Sequence, residues 1–329
     1  MGTTLKDLAG HLGISAAAVS MALNGKPGVS EQTREEVRRA AEELGYRPNR
    51  TGQALRLSRT NTIGVYFPST VMEYSLYFAE IMRGIVAGFA DTELSPLLLP
   101  SAGETGHVRD FPEVDGFVVV EPHSDDLGMF ELLRSGRATV CIDPPPASAE
   151  APWGIVEADA PAATHDSLRH LVARGAMRPG LLTIESVSEW SRTIEASYRG
   201  WCAEHGIDPA VIAISARQSN EEILELLEQE LGAPVPCDGL FVAGDAVAPR
   251  IAGLLRTMGR SPDGGFPLVS GVDSTMMEFH TPPISAIDLN PYGYGMHAAR
   301  MMAALLREPV RPTAPRIEQL PAPLIVRGT

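Results

Sequence analysis

The chain has 329 residues, 44% hydrophobic and 21% charged, enough for about two domains at ~150 residues each plus a small appendage. It contains no run of ~18 uncharged apolar residues, which excludes a membrane-spanning helix. The polar opening Met1-Gly2-Thr3-Thr4-Leu5-Lys6-Asp7 does not read as a secretory leader, so a cytoplasmic protein is expected. Cys141, Cys202 and Cys237 lie far apart without metal-ligand spacing and read as thiols of a reducing compartment.

The net charge of −14 is unevenly placed: residues 1–60 carry nine Lys and Arg against six Asp and Glu, so the whole acidic excess belongs to the rest. A basic head on an acidic body suits a chain that meets phosphate at one end.

The head reads as three short helices. Thr4 caps the first, with Asp7 three residues on, and Leu5, Leu8, Ala9 and Leu12 repeat at helical spacing. Gly13-Ile14-Ser15 makes a tight turn. The second helix occupies 15–24, with Ser15 capping its start and Gly25 ending it. Val19, Ala22 and Leu23 fall on its core side; Ala16, Ala17, Ser20, Met21 and Asn24 fall on the other, slim enough for close approach to a partner. Ser30 caps a third helix whose inner face is Val37, Ala40, Ala41 and Leu44. A helix-turn-helix bundle is the reading, with the second helix as the one that enters a DNA major groove. A generic three-helix bundle is the alternative. Within 47–60, the stretch 49–57 is too short to hold a helix alone, and Gly52 weakens it further, so a flexible linker is expected in the free protein.

From Thr62 the pattern becomes strand, helix, strand. Strands are expected at 63–67, 97–99, 116–120 and 139–142, then at 180–184, 211–214, 239–243 and 268–272. The first helix of the body should carry Phe78, Ile81, Met82, Ile85, Val86 and Phe89 on one inward side; others lie near 162–173, 189–205, 220–231 and 246–258. Such alternation gives parallel sheets covered by helices, here in two lobes, with the cleft at the strands' carboxyl ends as the default ligand site. The segment 101–114 is short for a helix and reads as a loop.

The series Thr4-Leu5-Lys6-Asp7-Leu8-Ala9, Gly13-Ile14-Ser15, Val19-Ser20, Leu23-Asn24, Val29-Ser30, Thr33-Arg34 and Tyr46-Arg47-Pro48-Asn49 resembles the headpiece of the lac-repressor (LacI/GalR) family. Looser motifs in the body, among them Ile63-Gly64-Val65, Val114-Asp115-Gly116, Gly271-Val272-Asp273 and Leu324-Ile325-Val326-Arg327, resemble the type I periplasmic-binding-protein fold that completes it. The resemblance implies an all-α helix-turn-helix headpiece at 1–46, a hinge at 47–60 and a two-lobed α/β domain at 61–329. Lobe 1 would take about 61–158 and 289–318, lobe 2 about 159–288 and 319–329, with crossings near Asp159, Leu289 and Glu318.

It also implies roles. Thr4, Ser20, Asn24, Ser30, Thr33 and Asn49 would hold DNA, chiefly its phosphates, while Ala16, Ala17 and Met21 would face base edges by apolar contact. Paired hinges would wedge Leu55 into the minor groove, with Arg50, Arg56 and Arg59 adding phosphate contacts. Tyr77, Phe78 and Tyr292 would wall an effector pocket, Trp190 and Arg192 would rim it, and Asp273 would accept ligand hydroxyls; for Phe78 a core position and for Asp273 a helix-capping role remain open. Ser197 stands where relatives place arginine, and Gly244 where many carry asparagine.

The expectation is a homodimeric, effector-controlled transcriptional regulator, a repressor by default, on a near-palindromic operator, with a sugar or related metabolite as effector and no membrane partner. A transport-type binding protein without operator specificity is the rival, which the basic head argues against. No enzyme, cofactor or metal is expected: Gly293-Tyr294-Gly295 lacks the context of a dinucleotide fingerprint, and His165 and His170 are five apart.

Overall fold

The computed structural model describes residues 3–23, 25, 27–46, 59–67, 76–99, 113–184, 188–215, 218–244, 246–308 and 310–329. The chain divides into two compact units, Met1–Thr60 and Asn61–Thr329.

The first unit holds α1 (Leu5–Leu12), α2 (Ala16–Leu23) and α3 (Glu31–Glu43). Each begins where the sequence supplies a cap. The Thr4 hydroxyl accepts the Asp7 amide while the Asp7 carboxylate accepts the Thr4 amide, a closed capping box. Ser15 Oγ accepts the Ala18 amide at 3.1 Å, and Ser30 Oγ the Thr33 amide at 3.2 Å. Gly13, at φ +65°, ends α1; only glycine adopts that conformation without strain, and it turns the chain directly into α2. Leu8, Val19, Ala22, Val37 and Ala40 close a small core, with Leu5, Leu12, Leu23, Leu44 and Tyr46 packed around it.

The second unit holds two six-stranded sheets. One contains β1 (Thr62–Tyr66), β2 (Ser95–Leu98), β3 (Gly116–Val120), β4 (Ala138–Ile142), β5 (Gly154–Ala158) and β11 (Arg316–Leu320), in the order β11-β5-β4-β3-β1-β2. All its pairings are parallel. The other contains β6 (Pro179–Ile184), β7 (Val211–Ile214), β8 (Gly239–Val242), β9 (Leu268–Ser270), β10 (Ser285–Ile287) and β12 (Leu324–Ile325), in the order β12-β10-β9-β8-β6-β7; only β12 runs antiparallel. Helices α4 (Leu76–Gly88), α5 (Leu127–Arg134) and α11 (Pro291–Leu305) belong to the first lobe, and α6 (Ala160–Ala173), α7 (Glu189–His205), α8 (Asn220–Leu231), α9 (Ala248–Thr257) and α10 (Thr275–Glu278) to the second. Strands β3 and β4 are buried at every residue, as a parallel sheet covered on both faces requires.

The chain passes between the sheets at Asp159, at 288–290 and at 321–323. The third passage falls after Glu318 rather than at it, because Glu318 is still paired with Val156 inside β11. On α4, Ile81, Ile85 and Phe89 are buried as expected, whereas Val86 is half exposed. The reason lies in the helix α4 crosses. A Cβ at Gly84 would stand 2.0 Å from the Tyr292 carbonyl oxygen, and one at Gly295 2.0 Å from that of Ile81. Glycines here let α4 and α11 touch backbone to backbone, and that contact fixes the rotation of α4 with Val86 outward. Gly295 is thereby explained as packing. Leu97 and Leu98, expected in a strand, end β2 and are exposed because β2 is the sheet edge. The segment 101–112 lies outside the described residues.

Candidate functional site

In the first unit, α2 presents its two faces as the spacing requires. Val19 and Ala22 are fully buried; Ala17 is exposed, and Ser20 and Met21 are partly so. Ala16 is the exception among the expected base-facing residues: it packs against the headpiece core, because it begins the helix on the side that meets the core. Thr4 and Ser30 are exposed at the starts of α1 and α3, and Thr33 Oγ1 lies 2.8 Å from Ser30 Oγ. The Thr4 hydroxyl donates to the Asp7 carboxylate at 2.7 Å, and the exposed starts of α1 and α3 present helix N-termini of the kind that suits phosphate oxygens. Asn24, Asn49, Arg50, Leu55 and Arg56 lie outside the described residues.

In the second unit, the carboxyl edges of the two sheets meet. His123, in the turn after β3, bridges to Ser188, which precedes α7. Arg192 of α7 donates to Ser124 Oγ at 2.8 Å while pairing with Glu189. Trp190 packs against the cores of both lobes. Arg192 and Trp190, the two residues expected at the rim, thus lie where the two lobes touch.

On the lobe 1 side, Tyr77 and Phe78 open α4. Phe78 stands edge-on to Phe67, at the end of β1, with centroids 5.6 Å apart, and to Tyr77 at 5.3 Å. Both pack, partly buried, on the lobe 1 core, so Phe78 is in the main a core residue.

Two expected pocket residues are placed otherwise. Tyr292 is on the outside of lobe 1, over an open apolar groove of about 630 Å³ lined with Ala79, Met82, Arg83, Val86, Ala87 and Ala90. Arg83 sits 5.7 Å from its ring centroid. The glycine-mediated crossing of α4 and α11 turns Tyr292 outward and its neighbour Tyr294 inward. Asp273 is near the cleft, but both its oxygens accept from the Arg327 guanidinium at 2.8 Å. It also caps the Ser274 amide. That pairing, chiefly through its hydrogen bonds, raises the pKa of Arg327 and neutralises the carboxylate meant for a ligand.

The two departures have structural consequences. Ser197 turns back to the Thr193 carbonyl at 2.7 Å, so this position of α7 offers no long polar arm. At Gly244 a Cβ would stand 2.8 Å from the Ile184 Cδ1; the space an asparagine needs is filled by apolar neighbours.

The unforeseen polar groups are in lobe 1. Glu121 and Asp143 directly follow β3 and β4, both at positive φ (+45° and +69°), and Glu157 is the penultimate residue of β5. Asp143 is 7% exposed. Its carboxyl is held well above the usual range, first by burial and then by the charges of Glu121 and Glu157. Glu157 is raised too, by burial and by Asp159. Tyr294, 1% exposed, has its phenol pushed up by burial and by the same two carboxyls, Asp143 and Glu157. His123 Nε2 is 3.8 Å from Glu121 Oε1. A sequence signal existed: Val118-Val119-Val120-Glu121-Pro122 and Val140-Cys141-Ile142-Asp143-Pro144 each set an acid immediately after a buried run, where a parallel strand delivers its next residue to the cleft.

The chain is similar to proteins named as transcriptional regulators. Residues 4–49 match the family model of bacterial regulatory proteins of the lacI family, and 168–329 that of a periplasmic binding protein-like domain. The transcriptional regulator RegA of Clostridium saccharobutylicum is 26% identical over 94% of both chains. MalR of Streptomyces coelicolor is 28% identical over all of this chain and 97% of its own. Among solved structures, the lac repressor dimer bound to operator and the anti-inducer ONPF superposes with a TM-score of 0.81 at 22% identity, over 100% of this chain and 99% of the other. The CelR–cellobiose complex gives 0.72 at 23% identity, over 99% of each; at such identities the likeness establishes the fold. The chain thus joins a capped helix-turn-helix, matching the lacI-family model over 4–49, to a two-lobed α/β unit that matches a periplasmic binding protein-like domain over 168–329.

Proposed function

We propose that the chain is a homodimeric transcriptional repressor. Two headpieces read adjacent major grooves of a near-palindromic operator, and the lobes gate that grip through a small molecule bound between them. The observation that carries this reading is the two-faced α2: its apolar side is sealed into the headpiece core while Ala17, Ser20 and Met21 stay accessible beside exposed helix starts at Thr4 and Ser30. Ala17 and Met21 offer no bidentate hydrogen bond, so sequence preference comes from thymine methyls and DNA shape. Leu55 is the proposed minor-groove wedge, with Asn24, Thr33 and Asn49 as further DNA contacts. The apolar surface of α4 and the β2 edge, with Val86, Leu97 and Leu98 exposed, supports pairing with a second copy. Tyr77, Trp190 and Arg192 border the proposed effector cleft. Relatives named for sugar responses, among them the CelR–cellobiose complex, support an effector of metabolite size.

Selection of operator sequences from random DNA by the full-length chain tests the reading. A palindromic motif is expected, shifted toward guanine by Met21→Arg and weakened by Leu55→Ala far more than bulk-DNA binding is. Absence of any sequence preference at moderate salt would sink it.

A further inference from the structure

We propose that the turn after β3 and the start of α7 form a latch that holds the mouth of the cleft shut in the ligand-free chain. The latch deepens the effector-gated reading above, and rests on it for its purpose: a small molecule enters the cleft when the latch opens.

The two sides of the cleft are held by different chemistry. The chain passes between the lobes after β5, after β10 and after β11. Strands β11 and β5 are the first two at one end of the first sheet, and β12 and β10 the first two at one end of the second. All three connections therefore lie on one side. There the lobes share apolar packing. Val272, Ile287 and Leu289, which follow or belong to strands of the second sheet, are in the same buried cluster as Ile63, Val118 and Val156 of the first. Covalent crossings set in a shared core make a pivot.

The latch stands away from that pivot. In the first sheet β3 is two strands beyond β5, and in the second β6 is three strands beyond β10, which is about 10 and 14 Å at the usual strand spacing. The contacts described here are chiefly polar. His123 and Ser188 form an isolated antiparallel bridge. Arg192 donates to Ser124 Oγ at 2.8 Å, and Glu189, three residues earlier, pairs with the same guanidinium and steadies it. Trp190, partly buried, lies between the cores of the two lobes.

The burial of these groups sets the strength of the latch. His123 and Ser188 are shielded from solvent, so their bridge is protected while the lobes are together. The Arg192 side chain is 45% exposed, and water can replace the Ser124 hydroxyl at little cost. The mouth therefore opens by exchanging polar bonds for water, while the shared apolar core at the pivot stays whole. Opening draws Trp190 away from one of its two cores and wets it.

The test uses the full-length chain without ligand. Opening is read as acrylamide quenching of Trp190, taken by difference from a Trp190→Phe chain, and as the radius of gyration in X-ray scattering. Ser124→Ala and Arg192→Ala are each expected to raise the quenching about two- to threefold and to enlarge the radius. A covalent latch gives the opposite arm. Residues facing each other in an antiparallel bridge have Cα atoms about 4.5–5.5 Å apart, within the reach of a disulfide. His123→Cys with Ser188→Cys should therefore oxidise readily, and the buried Cys141, Cys202 and Cys237 should stay reduced. The oxidised pair should show quenching no higher than the unmodified chain, and its reduction should raise quenching in the same sample. That arm compares one folded protein with itself, so it decides the matter if the single variants fold poorly. Unchanged quenching and radius in folded Ser124→Ala and Arg192→Ala, a cysteine pair that does not oxidise, or equal quenching of its two redox states would each overturn the proposal. Operator selection is run on the same preparations. Sequence preference without these latch effects defeats only the latch; latch effects without sequence preference support the latch and defeat the regulator reading.

Discussion

The two lobes treat their carboxylates in opposite ways. In lobe 2, Asp273 is clasped by both arms of Arg327, and its charge is spent inside the protein. In lobe 1, Asp143 has no such partner and is surrounded by more acid. The same fold, with an acid after a parallel strand in each case, thus yields a structural joint on one side of the cleft and, on the other, a desolvated carboxyl with no cationic partner among the described residues. What decides is whether a guanidinium comes back to the strand end, and only the returning C-terminal strand of lobe 2 brings one.

The comparison is most sharply broken at Arg327. Both partners of its ion pair are mostly buried (17% and 19% side-chain exposure), so Arg327→Met should cost about 3 kcal/mol by stranding Asp273, measured by denaturant unfolding. A loss under about 1 kcal/mol would show that Asp273 is not held as described. Gly295→Ala probes the support beneath Tyr294. Its new methyl would stand 2.0 Å from a backbone oxygen, and about 2–3 kcal/mol of destabilisation is expected, seen as a lowered melting temperature.

Asp143→Asn should do the reverse of Arg327→Met and leave stability at neutral pH unchanged or raised by about 1 kcal/mol, because it removes a desolvated acid with no partner. The pH profile sharpens this. The folded chain holds the Asp143 proton above the ordinary value of 3.8, so it binds more protons than the unfolded chain in the window from 3.8 up to the raised value. Across that window stability falls as pH rises, and above it the loss is complete. Subtracting the Asp143→Asn profile from that of the wild-type chain should isolate this decline. A flat difference curve would place the carboxyl in a wetter setting than the structure gives it.

The headpiece was legible because its determinants are local. Thr4 and Asp7, Ser15 and Gly13, and the stripe of Val37, Ala40 and Ala41 lie within a turn or two of what they control. The strand and helix alternation of the body was legible for the same reason. The cleft was not. The partner of Asp273 lies 54 residues away, on a segment whose path back to β10 no local pattern encodes. Tyr292 was misplaced because adjacent helix residues face a hundred degrees apart, and the phase of α11 is set by glycines on another helix. Asp143 was not singled out, although its place behind the apolar run Val140-Cys141-Ile142 puts it at the carboxyl end of a buried parallel strand.

The turn between Glu121 and Asp126 has several duties at once. Glu121 faces the carboxyl group of the cleft, His123 and Ser124 touch the opposite lobe, and Asp126 takes the Tyr66 hydroxyl at 2.7 Å while it caps α5. Six consecutive residues therefore run from an acid at a strand end, through the inter-lobe clasp, to an anchored helix start. A shift of Glu121 against the fixed Asp126 would strain that clasp, so the setting of one lobe against the other is tied to the shape of this one turn.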